Sequence, residues 1–194
     1  MAELEFADTK VIYEWDADRF RHRLAIRTPD GWMDLMESVE GTSSEPWPPS
    51  PPWQQIVRES MGHRGEDVLL GVGLSGNGHW SIAVHPTNTE PSQSHPTTYQ
   101  GLAFDVACKT SKPATRLGST WKVGPLWSLP SISPSEIVFS TRSSGTETRA
   151  HLFVMHGTAT MRSEGAFMIL ELSPNSDPST PHTHRWAMRV ETSS

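Results

Sequence analysis

The most suggestive ligand spacing in the chain is His182-Thr183-His184. On a β-strand, residues two apart point to the same face, so both imidazoles could take one metal ion. A third donor has to come from elsewhere. His79, His85, His151, His156 and Glu171 have the right chemistry, and no local spacing selects among them. Five residues after the second histidine, where a cupin-like pattern places a glutamate, the chain has Arg189. The competing reading is a strand entered from a Pro-rich loop, with Trp186, Met188 and Val190 continuing a buried face.

Other patterns resolve into simpler readings. GVGLSG, residues 71–76, fits the GxGxxG spacing and nearly fits a nucleophile elbow around Ser75. Both motifs require a helix directly after them, whose N-terminus meets the substrate or phosphate. Here the chain continues as His79-Trp80-Ser81-Ile82-Ala83-Val84, an alternating strand, so a hairpin loop explains the glycines. Arg19, Arg21, Arg23 and Arg27 alternate along one strand face, and arginine forks suit carboxylates and phosphates. Arg21 and Arg23 are therefore candidate ligand residues, although Glu14 and Asp16 share their side and offer self-pairing. Cys108 is in phase with Leu102, Phe104 and Val106 and reads as a small buried hydrophobe. No set of acid, base and nucleophile stands out, so no catalytic residue is assigned.

The Trp residues number 8 in 194. Trp80 and Trp121 fall in strand phase and, with Arg21 and Arg23, are the candidate ligand contacts, since indole rings line pockets as readily as they fill cores. WPPSPPW, residues 47–53, has the stiffness of a polyproline II rod. Such a rod can serve as a ligand for an aromatic groove; the favoured reading is a strap laid over the domain's own sheet edge, with its two Trp rings pinned to the core.

These residues must be positioned by strands, because apolar periodicity is two almost everywhere and no long window repeats at 3.6. The expected fold is all-β, a single antiparallel unit over 1–194 of about ten to twelve strands, either barrel or sandwich. Segments 40–52, 86–98 and 173–181 are rich in Ser, Thr and Pro and are expected to be irregular loops. Residues 53–59 could form a short helix led by Pro52. Around Gly76-Asn77-Gly78 two hairpin registers compete. A three-residue loop puts Val68, Leu70, Val72 and Leu74 on one face with Trp80, Ile82 and Val84. A two-residue Asn77-Gly78 turn sets Trp80, Ile82 and Val84 against Gly71 and Gly73 instead. The first gives one continuous apolar side and is the expected register.

ESVEGTSSEPWPPSPPWQ at 37–54, GHWS at 78–81, FDVAC at 104–108 and LGSTW at 117–121 resemble an uncharacterised family of bacterial proteins. That resemblance implies no reaction, cofactor or partner. The strand count alone is also similar to that of calycin-like barrels, some of which bind haem or lipids.

Composition narrows the function classes. A net charge of -6 disfavours sequence-independent nucleic-acid binding, which rests on phosphate neutralisation. No apolar run approaches the ~20 residues of a membrane-spanning helix, and no membrane association is expected. One cysteine cannot form an internal disulfide, and the acidic start lacks the basic and apolar stretches of a secretory signal. A cytoplasmic location is therefore expected. The expected function is a non-catalytic binding module for a partner protein or a small apolar ligand. A metal-binding or metal-dependent role through His182 and His184 is the alternative. The sequence specifies no cofactor and no oligomeric state.

Overall fold

The computed structural model describes residues 1–42, 44–61, 65–89, 98–156, 159–172 and 182–193. Its strands are β1 (Ala2–Phe6), β2 (Thr9–Asp16), β3 (Arg19–Thr28), β4 (Gly31–Ser38), β5 (Gln55–Met61), β6 (Glu66–Ser75), β7 (Gly78–Thr89), β8 (Tyr99–Thr110), β9 (Leu117–Val123), β10 (Ser128–Ile132), β11 (Glu136–Ser143), β12 (Thr146–His156), β13 (Ala159–Glu164), β14 (Phe167–Leu172) and β15 (His182–Ser193). They form two antiparallel sheets. One has the order β1-β2-β3-β4-β9-β14-β13 and the other β10-β11-β12-β15-β8-β7-β6-β5. The core lies between the two sheets and draws on both, from Val11, Tyr13 and Leu24 on one side to Trp80, Phe104 and Trp186 on the other.

The all-β, antiparallel expectation holds, with corrections. The architecture is a sandwich of two unclosed sheets, so the likeness to a calycin-like barrel fails. The strands among the described residues number fifteen, more than the ten to twelve expected. The difference comes from two short strands, β1 and β10, and from the division of residues 146–164 into the separate strands β12 and β13. Residues 55–61 are a strand and not a short helix. Val57 pairs with Leu70 and Gln55 with Val72, so ladder hydrogen bonds to β6 override the helical spacing of Trp53, Ile56 and Val57. The expected loop from residue 86 begins later, because Pro86 to Asn88 extend β7 opposite Leu102 to Gln100. The loop 173–181 and most of the loop 86–98 lie outside the described residues.

The most consequential correction is the register of β6 against β7. Gly73 lies opposite Trp80, Gly71 opposite Ile82, and Ser75 opposite Gly78. The loop is thus the two-residue Gly76-Asn77, with Gly76 at φ 55° in the first central position, where glycine-led hairpin loops need a positive φ. Trp80, Ile82 and Val84 remain inside. Leu70, Val72 and Leu74 therefore point away from the core, and Val72 and Leu74 are about half exposed at 50% and 54%.

The strap explains why this register wins. Trp53 is fully buried and Trp47 packs partly buried against the core. The strap's backbone is tied to both sheets. Trp53 C=O accepts from Phe20 N–H at 2.6 Å and Gln54 N–H donates to Val72 C=O at 2.9 Å. Ser75 Oγ donates to Glu45 C=O at 2.6 Å, and Ser50 Oγ donates to Thr120 C=O at 2.9 Å. A Cβ on Gly73 would overlap the Pro52 carbonyl oxygen and lie 3.3 Å from Trp53 Cα. In the slipped register Val72 or Leu74 would occupy that space. The strap and a larger side chain cannot both be there.

Gly73→Ala tests this packing. Overfilling a fixed core typically costs about 1–3 kcal/mol. The variant is expected to lose stability in that range by urea denaturation, with tryptophan emission shifted to the red as Trp53 is displaced. An unchanged midpoint would show that the strap does not rest on this glycine.

Candidate functional site

The residues singled out in the sequence do not come together. Trp80 and Trp121 are both buried in the core, from opposite sheets. Trp80 meets Trp186 edge-on with ring centroids 6.0 Å apart, and Trp121 meets His22 edge-on at 6.3 Å. Arg21 and Arg23 lie on the outer face of the seven-stranded sheet. Arg21 lies 3.6 Å from both Glu14 and Glu37, while Arg23 lies 3.5 Å from Glu14 and 3.3 Å from Asp34. These exposed pairs fix register more than they add stability.

His182 and His184 share one face of β15, with ring centroids 6.3 Å apart. Their cross-strand neighbours on β8 are Thr110 and Cys108. Burial and then the neighbouring His182 lower the His184 pKa. Among the described residues no group of three or more His, Cys, Asp and Glu could hold a metal. Several of the third donors considered from the sequence are engaged elsewhere: His85 lies 3.6 Å from Asp105, His151 2.9 Å from Glu136, and Glu171 3.4 Å from Arg162. His79 pairs with Lys109 on the opposite face of the sheet. Cys108 is fully buried, which pushes its thiol up to about 12 and leaves it a core side chain.

A polar row that the sequence did not reveal runs under the strap. Trp121 Nε1–H donates to His22 Nε2 at 3.2 Å, so neutral His22 carries its proton on Nδ1. Its backbone N–H donates to Ser38 Oγ at 2.9 Å, and Ser38 Oγ donates to Glu40 Oε1 at 2.5 Å. Tyr13 stacks on His22 with centroids 5.2 Å apart. Burial lowers His22 to about 4. Burial also raises Glu40 to about 7, reinforced by Asp16 and Asp18 and opposed by the Ser38 hydrogen bond and by Arg19. Burial, with the Glu40 charge, raises Tyr13. Ser38 Oγ is held by the His22 backbone N–H and by Glu40, and burial favours the neutral form of each titratable group in the row, so it reads as the polar seam beneath the strap.

A concave surface lies on the outer face of the eight-stranded sheet, where register sets short side chains side by side. Leu70 on β6 pairs with Ala83 on β7, Ala83 with Asp105 on β8, and Asp105 with Ala187 on β15. The adjacent row is Val72, Ser81, Ala107 and Arg185. The result is a trough of about 600 Å³ whose floor is Ser81, Ala83, Ala107 and Ala187. A solvated antiparallel face ordinarily carries long polar side chains. This one is floored by small residues and flanked by exposed Val57, Val72 and Leu74. Asp105 and Arg185 are its two charges. The short Ser and Ala at alternate positions of β7 and β8 are a signal readable in each strand, but only the pairing of four strands brings them into one surface.

No family model, curated protein or solved structure matches the chain. No helix among the described residues is long and apolar enough to cross a membrane.

The polar row makes opposed pH contributions to stability. The unfolded chain binds more protons than the native state at His22 between pH 6.5 and about 4, so that contribution is lost as pH falls through this window. The native state binds more protons at Glu40 between pH 4.5 and about 7, so stability is lost there as pH rises. The two slopes oppose each other where the windows overlap. Glu40→Gln is expected to remove one of them, leaving stability to climb with pH between 4 and 6.5 by up to ~3 kcal/mol relative to the parent. Denaturation midpoints measured across this range check it; parallel profiles for the two proteins would refute the assignment.

Proposed function

We propose that the protein is a non-catalytic binding module and that the outer trough of the eight-stranded sheet is its ligand surface, taking a small apolar or amphipathic molecule. The observation that carries this reading is the trough itself: a concavity within the usual range of roughly 300–1,000 Å³ for ligand sites, floored by Ala and Ser where a sheet face meeting water would present charge. Exposed apolar patches rimmed by polar groups mark interaction surfaces. The lack of an acid, base and nucleophile set in the sequence, and the packing of Trp80 and Trp121 into the core, support binding over catalysis.

The second reading keeps His182 and His184 as a metal pair, supported by their common face on β15. Zinc added to the protein, followed by metal analysis with and without both His→Ala replacements, tests it. Stoichiometric zinc that disappears in the double variant favours this reading, and zinc-free protein under replete conditions rejects it.

The trough is tested with a neutral solvatochromic dye, Nile red. Saturable binding with a blue-shifted emission is expected for the full chain. Ala107→Glu, which places a charge on the floor, is expected to weaken that binding at least about tenfold, the scale set by burying an unpaired carboxylate against an apolar ligand. The thermal midpoint should stay unchanged, because the side chain points away from the core. Absence of saturable binding, or binding indifferent to the substitution, would reject the trough as the site.

A further inference from the structure

We infer that the ligand of this trough is a small amphipathic monocarboxylate whose apolar body lies across Ala83, Ala107 and Ala187 and whose acid group meets Arg185. This inference rests on the reading of the trough as a ligand surface and adds the chemical class.

The placement of charge points to an acid. Arg185 is exposed on the outer face, directly across from Ala107, so the guanidinium borders the apolar floor. Among the described residues Arg116, Arg142 and Arg185 form no ion pair, whereas Arg19, Arg21, Arg23, Arg27, Arg58, Arg149, Arg162 and Arg189 pair with carboxylates; of the three, Arg185 is the one that lines the trough. In a chain of net charge -6, an arginine left without a carboxylate beside an apolar trough is a cation with a place for an external acid. The guanidinium fork matches a carboxylate in a bidentate geometry.

Two further features narrow the class. Asp105 stands in the neighbouring row, across from Ala187, and so holds a diagonal position to Arg185, about 7–8 Å away on the next strand. Its negative charge is tolerable for a single carboxylate and penalises a phosphate of charge near -2, so the acid group is a monoanion. The floor spans four adjacent strands, β6, β7, β8 and β15. Three inter-strand spacings of about 4.8 Å give a length of about 14 Å, which bounds the apolar body to a medium chain or one to two rings.

The experiment compares octanoate, 1-octanol and octyl phosphate as competitors of Nile red on the full chain. Octanoate is expected to displace the dye at concentrations at least about tenfold below those of the other two. Arg185→Gln should erase the advantage of octanoate over octanol, both measured as competitors of Nile red on the same variant. Arg185→Lys should restore part of it, and Asp105→Asn should improve octyl phosphate selectively. If the dye binds but octanoate and octanol compete equally, or Arg185→Gln leaves the advantage of octanoate in place, the carboxylate assignment is wrong while the trough stands. If the dye does not bind at all, both fall together.

Discussion

One steric constraint sets the two faces of the eight-stranded sheet: the chain at Pro52 and Trp53 lies so close over Gly73 that no side chain fits between them. That contact fixes the pairing of Gly73 with Trp80. A slip of one residue would send Leu70, Val72 and Leu74 inward and the glycines outward. The fold leaves Val72 and Leu74 half exposed to seat the strap and gains the burial of an indole in return. Trp53 becomes fully buried, and an aromatic ring removes roughly 150–250 Å² from water, worth about 4–6 kcal/mol at ~25 cal/mol/Å² before ordering costs.

The strap also supplies what closure would supply in a barrel. A sandwich leaves gaps between its sheets, and here the segment from Glu45 to Gln54 crosses one of them, bonded to β3, β6 and β9. Proline rigidity suits this role, since a stiff segment loses little entropy when it is laid down. The polar seam of His22, Ser38 and Glu40 lies at the same crossing, where β4 ends and the strap begins. A charged carboxylate is poorly tolerated there, which is why Glu40 holds its proton far above the ordinary range.

The outer trough is a consequence of the same register. With the odd residues of β6 committed to the interior, Leu70 stands on the outside next to Ala83, and the row continues through Asp105 to Ala187. The trough and the closed core are therefore two sides of one pairing. A change that released the strap would disturb the outer face without touching any residue in it.

Period-two alternation in the sequence was enough to determine an antiparallel all-β chain and to sort most side chains correctly. Leu102, Phe104, Val106 and Cys108 are inside, as are Leu117, Trp121, Val123, Trp186, Met188 and Val190, and the pairing of Glu14 with Arg21 comes from the first hairpin. The short β1 and β10 lack a long alternating run, and residues 55–61 carry a spacing compatible with either period, so those strands were illegible. The sequence left barrel or sandwich open, and it favoured the wrong parity for β6. Alternation specifies that two faces exist but cannot say which of them another segment will cover. Only the folded chain brings Pro52 onto Gly73, and only the alignment of four strands sets Ala83, Ala107, Ala187 and Arg185 into one surface, because contacts between residues distant in sequence leave no periodic trace along it.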